Sequence, residues 1–120
     1  MIDSRLAIVG SRNYPDPVEV AEFVLGLDKS IKIISGGAHG VDAWAANVAH
    51  FVAGMEVEVK WADWRNLGKR AGFIRNKEIV NACNWMVAFW DGVSKGTQHS
   101  IALAELAERH VIIKEKKKSD

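Results

Sequence analysis

Five short segments, residues 6–9, 31–34, 55–60, 85–89 and 111–113, are apolar or alternate apolar with polar, and stretches with helical spacing separate them. Leu6-Ala7-Ile8-Val9 and Trp85-Met86-Val87-Ala88-Phe89 are unbroken apolar runs, the pattern of interior parallel strands covered on both faces. Met55-Glu56-Val57-Glu58-Val59-Lys60 alternates instead, which predicts an edge strand with one wet face. The first intervening helix is expected to start with Asp16 as N-cap, Pro17 at its first position and Glu19 closing a capping box, and to bury Val20, Ala21, Val24 and Leu25. Further helices are expected over 41–52, burying Val41, Ala45, Val48, Ala49 and Val52, over 69–82, and over 97–108, burying Ile101, Ala104 and Ala107. Strand and helix in alternation, joined by right-handed crossovers, predict a Rossmann-like three-layer α/β/α sandwich around a five-stranded, mainly parallel sheet of order 3-2-1-4-5.

Three glycine-bearing turns each follow a predicted strand and precede a helix: Gly10-Ser11-Arg12, Ser35-Gly36-Gly37-Ala38-His39-Gly40-Val41-Asp42 and Asp91-Gly92-Val93-Ser94-Lys95-Gly96-Thr97. They follow strands 1, 2 and 4, which are neighbours in the expected order, so the turns meet at the topological switch point where α/β sheets hold ligands. Glycine permits close backbone approach, and the first N–H groups of a helix are unpaired at the positive end of its dipole. The expected site is therefore anionic in its preference, with phosphate held around Gly10, Ser11, Arg12, Ser35, Gly36, Gly37, Gly40, Gly96 and Thr97. Arg12, directly after a buried strand, offers a planar fork suited to bidentate phosphate recognition.

With 120 residues, 48% of them hydrophobic and 26% charged, the chain has the make-up of one globular domain. The single Cys83 excludes an internal disulfide, and neither a membrane-length apolar run nor a signal-peptide pattern is present, so a cytoplasmic location is expected. The net charge is +1, and residues 114–120 hold four lysines and two acids, which leaves the body at about −1. The domain is accordingly read as 1–113, with 114–120 a basic, frayed tail, and with no body-wide basic excess of the kind that grips nucleic acid through phosphates. The four histidines lack metal-site spacing, so no metal is expected, although His39 and His99 sit near the ligand turns. Lys95-Gly96-Thr97 lacks the glycine order of an ATPase P-loop, and the dinucleotide fingerprint is missing after the first strand.

The segment Ser35 to Ala43, taken with Gly10-Ser11-Arg12, Ala71-Gly72-Phe73-Ile74-Arg75-Asn76 and Phe89-Trp90-Asp91-Gly92 leading to Gly96-Thr97, resembles the DprA/Smf and LOG proteins of the SLOG superfamily. The likeness runs almost end to end and is strongest to the short, single-domain YspA-like branch. It implies a Rossmann-like domain binding a nucleotide or nucleotide-derived ligand, such as an ADP-ribose or NAD-like compound, with no cofactor required. It also points to Arg75 as the candidate catalytic residue of any LOG-like N-glycosidic cleavage, while Ser100 stands where that branch carries a glutamate. A serine offers no charge to an oxocarbenium-like transition state.

Asp42, Arg75 and Asn76 are then expected to complete the sugar or second-phosphate contacts, with Asp91 at the third turn. Trp90 is expected either to wall the cleft and stack on a base or to fill the top of the core. Trp85 reads as core packing, and Trp61 and Trp64, in the longest irregular connection, read as a lid or a subunit contact, in keeping with a homodimer or higher oligomer. Three readings stand at this point: a nucleotide-binding domain, a nucleoside-phosphate or NAD-type hydrolase, and a reduced DprA-like single-stranded DNA binder using Lys69, Arg70, Arg75, Lys77 and the tail.

Overall fold

A computed structural model describes residues 4–117. The five strands are β1 (Arg5–Gly10), β2 (Lys32–Ser35), β3 (Val57–Val59), β4 (Trp85–Trp90) and β5 (His110–Glu115), and all neighbouring pairs are parallel in the order β3-β2-β1-β4-β5. β1 and β4 are buried on both faces through Leu6 to Val9 and Met86 to Phe89, as two-sided helix cover requires. On one face, α1 (Pro17–Leu25) and α2 (Val41–Asn47) pack over Ile8, Ile33, Val87 and Phe89; on the other, α4 (Ala71–Ala82) and α5 (Lys95–Leu106) pack over Ala7, Ile34, Met86 and Ala88. A short helix α3 (Trp64–Leu67) and a 3-10 turn, Gly68–Arg70, lead into α4.

α1 begins as its sequence dictates: Asp16 accepts from the Glu19 N–H at 3.0 Å and Pro17 takes the first position. Glu19 does not close the box, because its carboxylate accepts a hydrogen bond from the Tyr14 hydroxyl instead. The buried stripe is also rotated from the expected one, to Val20, Phe23, Val24 and Leu27, leaving Leu25 exposed. α2 passes into a π-helical turn at Val48–Val52, whose extra residue per turn swings Val52 and Phe51 out to solvent while Ala49 stays buried.

Edge strand β3 satisfies its wet side with charge, since Glu58 pairs with Lys32 at 2.9 Å and with Lys60 at 2.6 Å. At the other edge, β5 continues through Lys114 and Glu115, past the point where a frayed tail was expected to begin, because its ladder with β4 runs on to Trp90. Lys116 then donates its backbone N–H to Trp90 O and its ammonium to Asp16 at 2.8 Å. The rest of the expected tail, 118–120, lies outside the described residues. Trp85 is not core packing as expected: it opens β4 half-exposed and stacks on His110 at 4.4 Å.

Candidate nucleic-acid interface

The carboxyl ends of β1, β2 and β4 release their turns at one rim of the sheet, and a cleft of about 220 Å³ opens between them. Gly10, Arg12, Ala38, His39, Asp42, Arg75, Asn76, Ser94, Gly96 and Thr97 line it, with Val9 at its floor and Ser100 in its wall. Seven residues singled out in the sequence, Gly10, Arg12, Asp42, Arg75, Asn76, Gly96 and Thr97, therefore meet in one place. Ser11 and Ser35 lie behind them, fully buried, as clasps. The Ser11 hydroxyl accepts from the Asp91 N–H (3.1 Å) and lies 3.4 Å from Thr97 Oγ1, tying the first turn to the third. Ser35 Oγ donates to Asp42 O and accepts from the Gly37 N–H, both at 3.1 Å, which fixes the second turn.

Asp91 and Trp90 are placed outside the lining of this cleft. The Asp91 carboxylate caps its own turn, accepting from the N–H groups of Val93 and Ser94. Trp90 packs on the α4/α5 side of the core and donates its indole N–H to Ser94 O at 3.0 Å. His39 lines the cleft, whereas His99 is drawn to Asn76 and Phe73. No group of three or more metal-ligating side chains occurs among the described residues.

The glycines are required by close approach. A Cβ on Gly40, whose φ is +89°, would stand 2.6 Å from Arg12 Cα. Gly40→Ala is therefore expected to destabilise the fold by more than about 2 kcal/mol in a urea melt, since both the backbone conformation and the space exclude it. A Cβ on Gly36 would meet Asp42 Oδ2 at 2.6 Å and Arg75 Nη1 at 3.1 Å, so glycine there lets the two charged groups pass against the chain.

Asp42 is the sole carboxylate lining the cleft, and it is buried. It accepts from the Gly10 N–H at 3.1 Å. Burial pushes its carboxyl up to about 6, against the opposing pull of the Arg75 guanidinium and of the Gly10, Ala38 and Gly36 N–H groups. A carboxyl that holds its proton more tightly folded than unfolded lends most stability below its unfolded value of 3.8, and loses it as pH rises to about 6. The shift corresponds to about 3 kcal/mol. Wild type is expected to lose that increment between pH 4 and 6.5 in denaturant titrations, and Asp42→Asn to lack that part of the slope.

Arg75 is held by three partners. Its Nη1 donates to Gly36 O at 2.7 Å, its Nε donates to Asn76 Oδ1 at 3.0 Å, and its charge faces Asp42. Because Asn76 Oδ1 accepts from Arg75, its Nδ2 must donate to His99 Nδ1, 3.1 Å away. His99 thus carries its proton on Nε2 in the neutral form. Its ring meets the half-exposed ring of Phe73 edge-on at 4.7 Å.

Two further hollows, of about 230 and 250 Å³, flank the cleft and join it through Arg75, which lines all three. Trp61 walls one of them, Phe73, Lys69 and Lys95 wall the other, and Trp64 stands between the two. Each tryptophan is seated on a glycine. A Cβ on Gly37 would overlap the Trp61 ring, and one on Gly72 would lie 3.2 Å from Trp64 Cη2. The opposite faces are bare: Trp61 is 70% and Trp64 60% exposed. No carboxylate lines either hollow. Phe73 and Lys95 are not among the site residues expected from the sequence, and Trp61 and Trp64 are expected there as a lid or a subunit contact; the signal that pairs them with the site is the glycine beneath each ring, which no sequence spacing reveals. Of the basic patch expected for DNA, Lys69 and Arg75 line the groove, whereas Arg70 and Lys77 are not among its lining residues.

This architecture is the fold of DNA processing protein A. The structure of that protein from Helicobacter pylori, described for its single-stranded DNA binding mode, superposes with a TM-score of 0.76 at 17% identity, over 92% of this chain and 64% of that one. DprA from Streptococcus pneumoniae superposes at 0.78 and 20% identity, over 92% of this chain and 50% of its own. The chain thus spans between half and two thirds of these longer proteins. No family model matches the sequence. The gene 61 protein of Mycobacterium phage D29 is 34% identical over 117 residues, covering 90% of this chain and 94% of that protein, and the chain belongs to its family. No helix among the described residues is long and apolar enough to cross a membrane.

Proposed function

We propose that the protein binds single-stranded DNA along the groove formed by the three joined hollows, with Trp61 and Trp64 as stacking platforms and Arg12, Lys69, Arg75 and Lys95 as phosphate contacts. The observation that carries this reading is the pair of tryptophans, each backed by a glycine and bare on its outer face, on either side of one arginine. An aromatic ring held flat from behind loses little entropy when a base stacks on it, and only unpaired bases present a face to stack. Lining by cations, with the single carboxylate buried against Arg75, matches a phosphate backbone. The ssDNA binding described for H. pylori DprA supports the same reading on the shared fold. Within the SLOG superfamily the protein is assigned to the single-domain YspA-like branch, acting in the cytoplasm and by binding alone, without a cofactor.

A mononucleotide or an ADP-ribose-like ligand would occupy the inner cleft, whose 220 Å³ is small for a site that encloses a whole dinucleotide. The two ligand classes separate in a competition experiment. Fluorescence anisotropy of a labelled 20-nucleotide single strand is expected to rise with protein, to be reversed by unlabelled single strand, and to resist duplex of the same sequence and millimolar AMP, ADP-ribose or NAD. Four cations on a single strand predict a log–log salt slope of about −2 to −3. Absence of binding at low salt, or displacement by micromolar nucleotide, would overturn the proposal.

A further inference from the structure

The strand β5 is bonded on one edge only, and its two central isoleucines, Ile112 and Ile113, are 42% and 45% exposed. Lys116 N bonds Trp90 O and His110 N bonds Asn84 O, so even-numbered residues turn their N–H groups to β4 and Val111, Ile113 and Glu115 turn theirs outward. Ile112 also closes one side of an apolar groove of about 430 Å³ beside α1, lined by Leu6, Phe23, Leu27, Trp85 and Val87. Apolar edge, free backbone groups and groove are continuous.

From this edge we infer that the protein forms a twofold dimer in which β5 pairs antiparallel with β5 of a second copy, in the register that sets Ile112 opposite Ile112. A twofold axis perpendicular to the sheet keeps each face on its own side, so the two residue numbers of every facing pair sum to an even number. Centring on Ile112 places Val111 opposite Ile113 as hydrogen-bonded pairs, and brings the two apolar grooves together. Apolar matching within the strand selects this register. Centring on Ile112 keeps Val111, Ile112 and Ile113 against one another, whereas centring on Ile113 sets Ile112 opposite Lys114 and Val111 opposite Glu115. The result is a ten-stranded sheet whose DNA grooves, at the carboxyl ends of oppositely directed strands, lie on opposite rims and stay open. The dimer does not depend on the DNA proposal.

Sedimentation equilibrium of the full chain is expected to give twice the 13.3 kDa chain mass at micromolar concentration. Ile113→Pro removes an outward N–H and no bond to β4, and should raise the dimer dissociation constant at least about tenfold with the circular dichroism unchanged. Residues facing across a non-hydrogen-bonded pair lie about 4.5 Å apart, within disulfide reach. Ile112→Cys is therefore expected to cross-link on mild oxidation and Ile113→Cys not, the native Cys83 being buried. A wild-type chain that remains monomeric at 100 μM, or cross-linking through Ile113→Cys in place of Ile112→Cys, overturns the inference, and the cysteine pair decides even if Ile113→Pro fails to fold.

Discussion

Replacing Trp61 and Trp64 together by alanine is expected to abolish single-strand binding at concentrations where wild type saturates, while the melting temperature moves by only a few degrees. Stacking of one base on an aromatic ring contributes about 1 to 3 kcal/mol, so loss of two platforms predicts a decrease in affinity of at least about thirtyfold. The small structural effect follows from exposure: each ring rests on a glycine and leaves most of its surface in water. Each single alanine variant should lose about five- to a hundredfold. Trp→Phe at either position should recover much of the loss, because a smaller ring still presents a face. An affinity unchanged in the double variant would show that the bare faces are not used.

The second large effect is expected at Arg75. Arg75→Ala removes the guanidinium that opposes the buried Asp42 carboxylate and leaves Gly36 O and Asn76 Oδ1 without their donor. An acceptor left without its donor in the interior typically costs about 1 to 3 kcal/mol, and the uncompensated charge of Asp42 adds to that. The deficit has a definite pH dependence. Loss of the guanidinium raises the Asp42 carboxyl further above about 6, so the gap from wild type is widest at alkaline pH, and as pH falls toward 4.5 Asp42 is protonated in both proteins and the variant should regain much of the difference. Urea melts of both proteins at pH 7.5 and 4.5 check this. A gap that does not narrow in acid would mean that Asp42 and Arg75 are not energetically coupled. Asp42→Asn combined with Arg75→Ala should be more stable at pH 7.5 than Arg75→Ala alone, which separates loss of charge compensation from simple loss of packing.

The sheet order and the three glycine turns were legible because they rest on local signals: unbroken apolar runs for β1 and β4, alternation for β3, and glycine at the strand ends. Those signals also placed Arg12, Asp42 and Thr97 at one rim, whereas Arg75, inside a helix, was reached through the family resemblance. Where the reading failed, the cause lies in contacts between distant residues. The capping box at Glu19 lost to Tyr14, which the fold brings to the same carboxylate. Val52 left the core because a π turn, silent in the apolar periodicity, rotates the end of α2. Trp90, by contrast, takes the second of its two expected roles: its indole N–H finds Ser94 O and its ring packs on the core side of the third turn. The aromatic surface of the groove comes instead from Trp61 and Trp64, which Gly37 and Gly72 accept from 24 and 8 residues away. The body's charge of about −1 likewise concealed a local excess of cations, because most acids lie away from the groove.

The five indole N–H signals in a nitrogen-15 correlation spectrum report on the central claim residue by residue. Titration with a short oligothymidylate is predicted to shift the signals of Trp61 and Trp64 and to leave those of Trp44, Trp85 and Trp90 in place. Shifts confined to Trp85, on the far side of the domain, or five unmoved signals at millimolar strand, would contradict it.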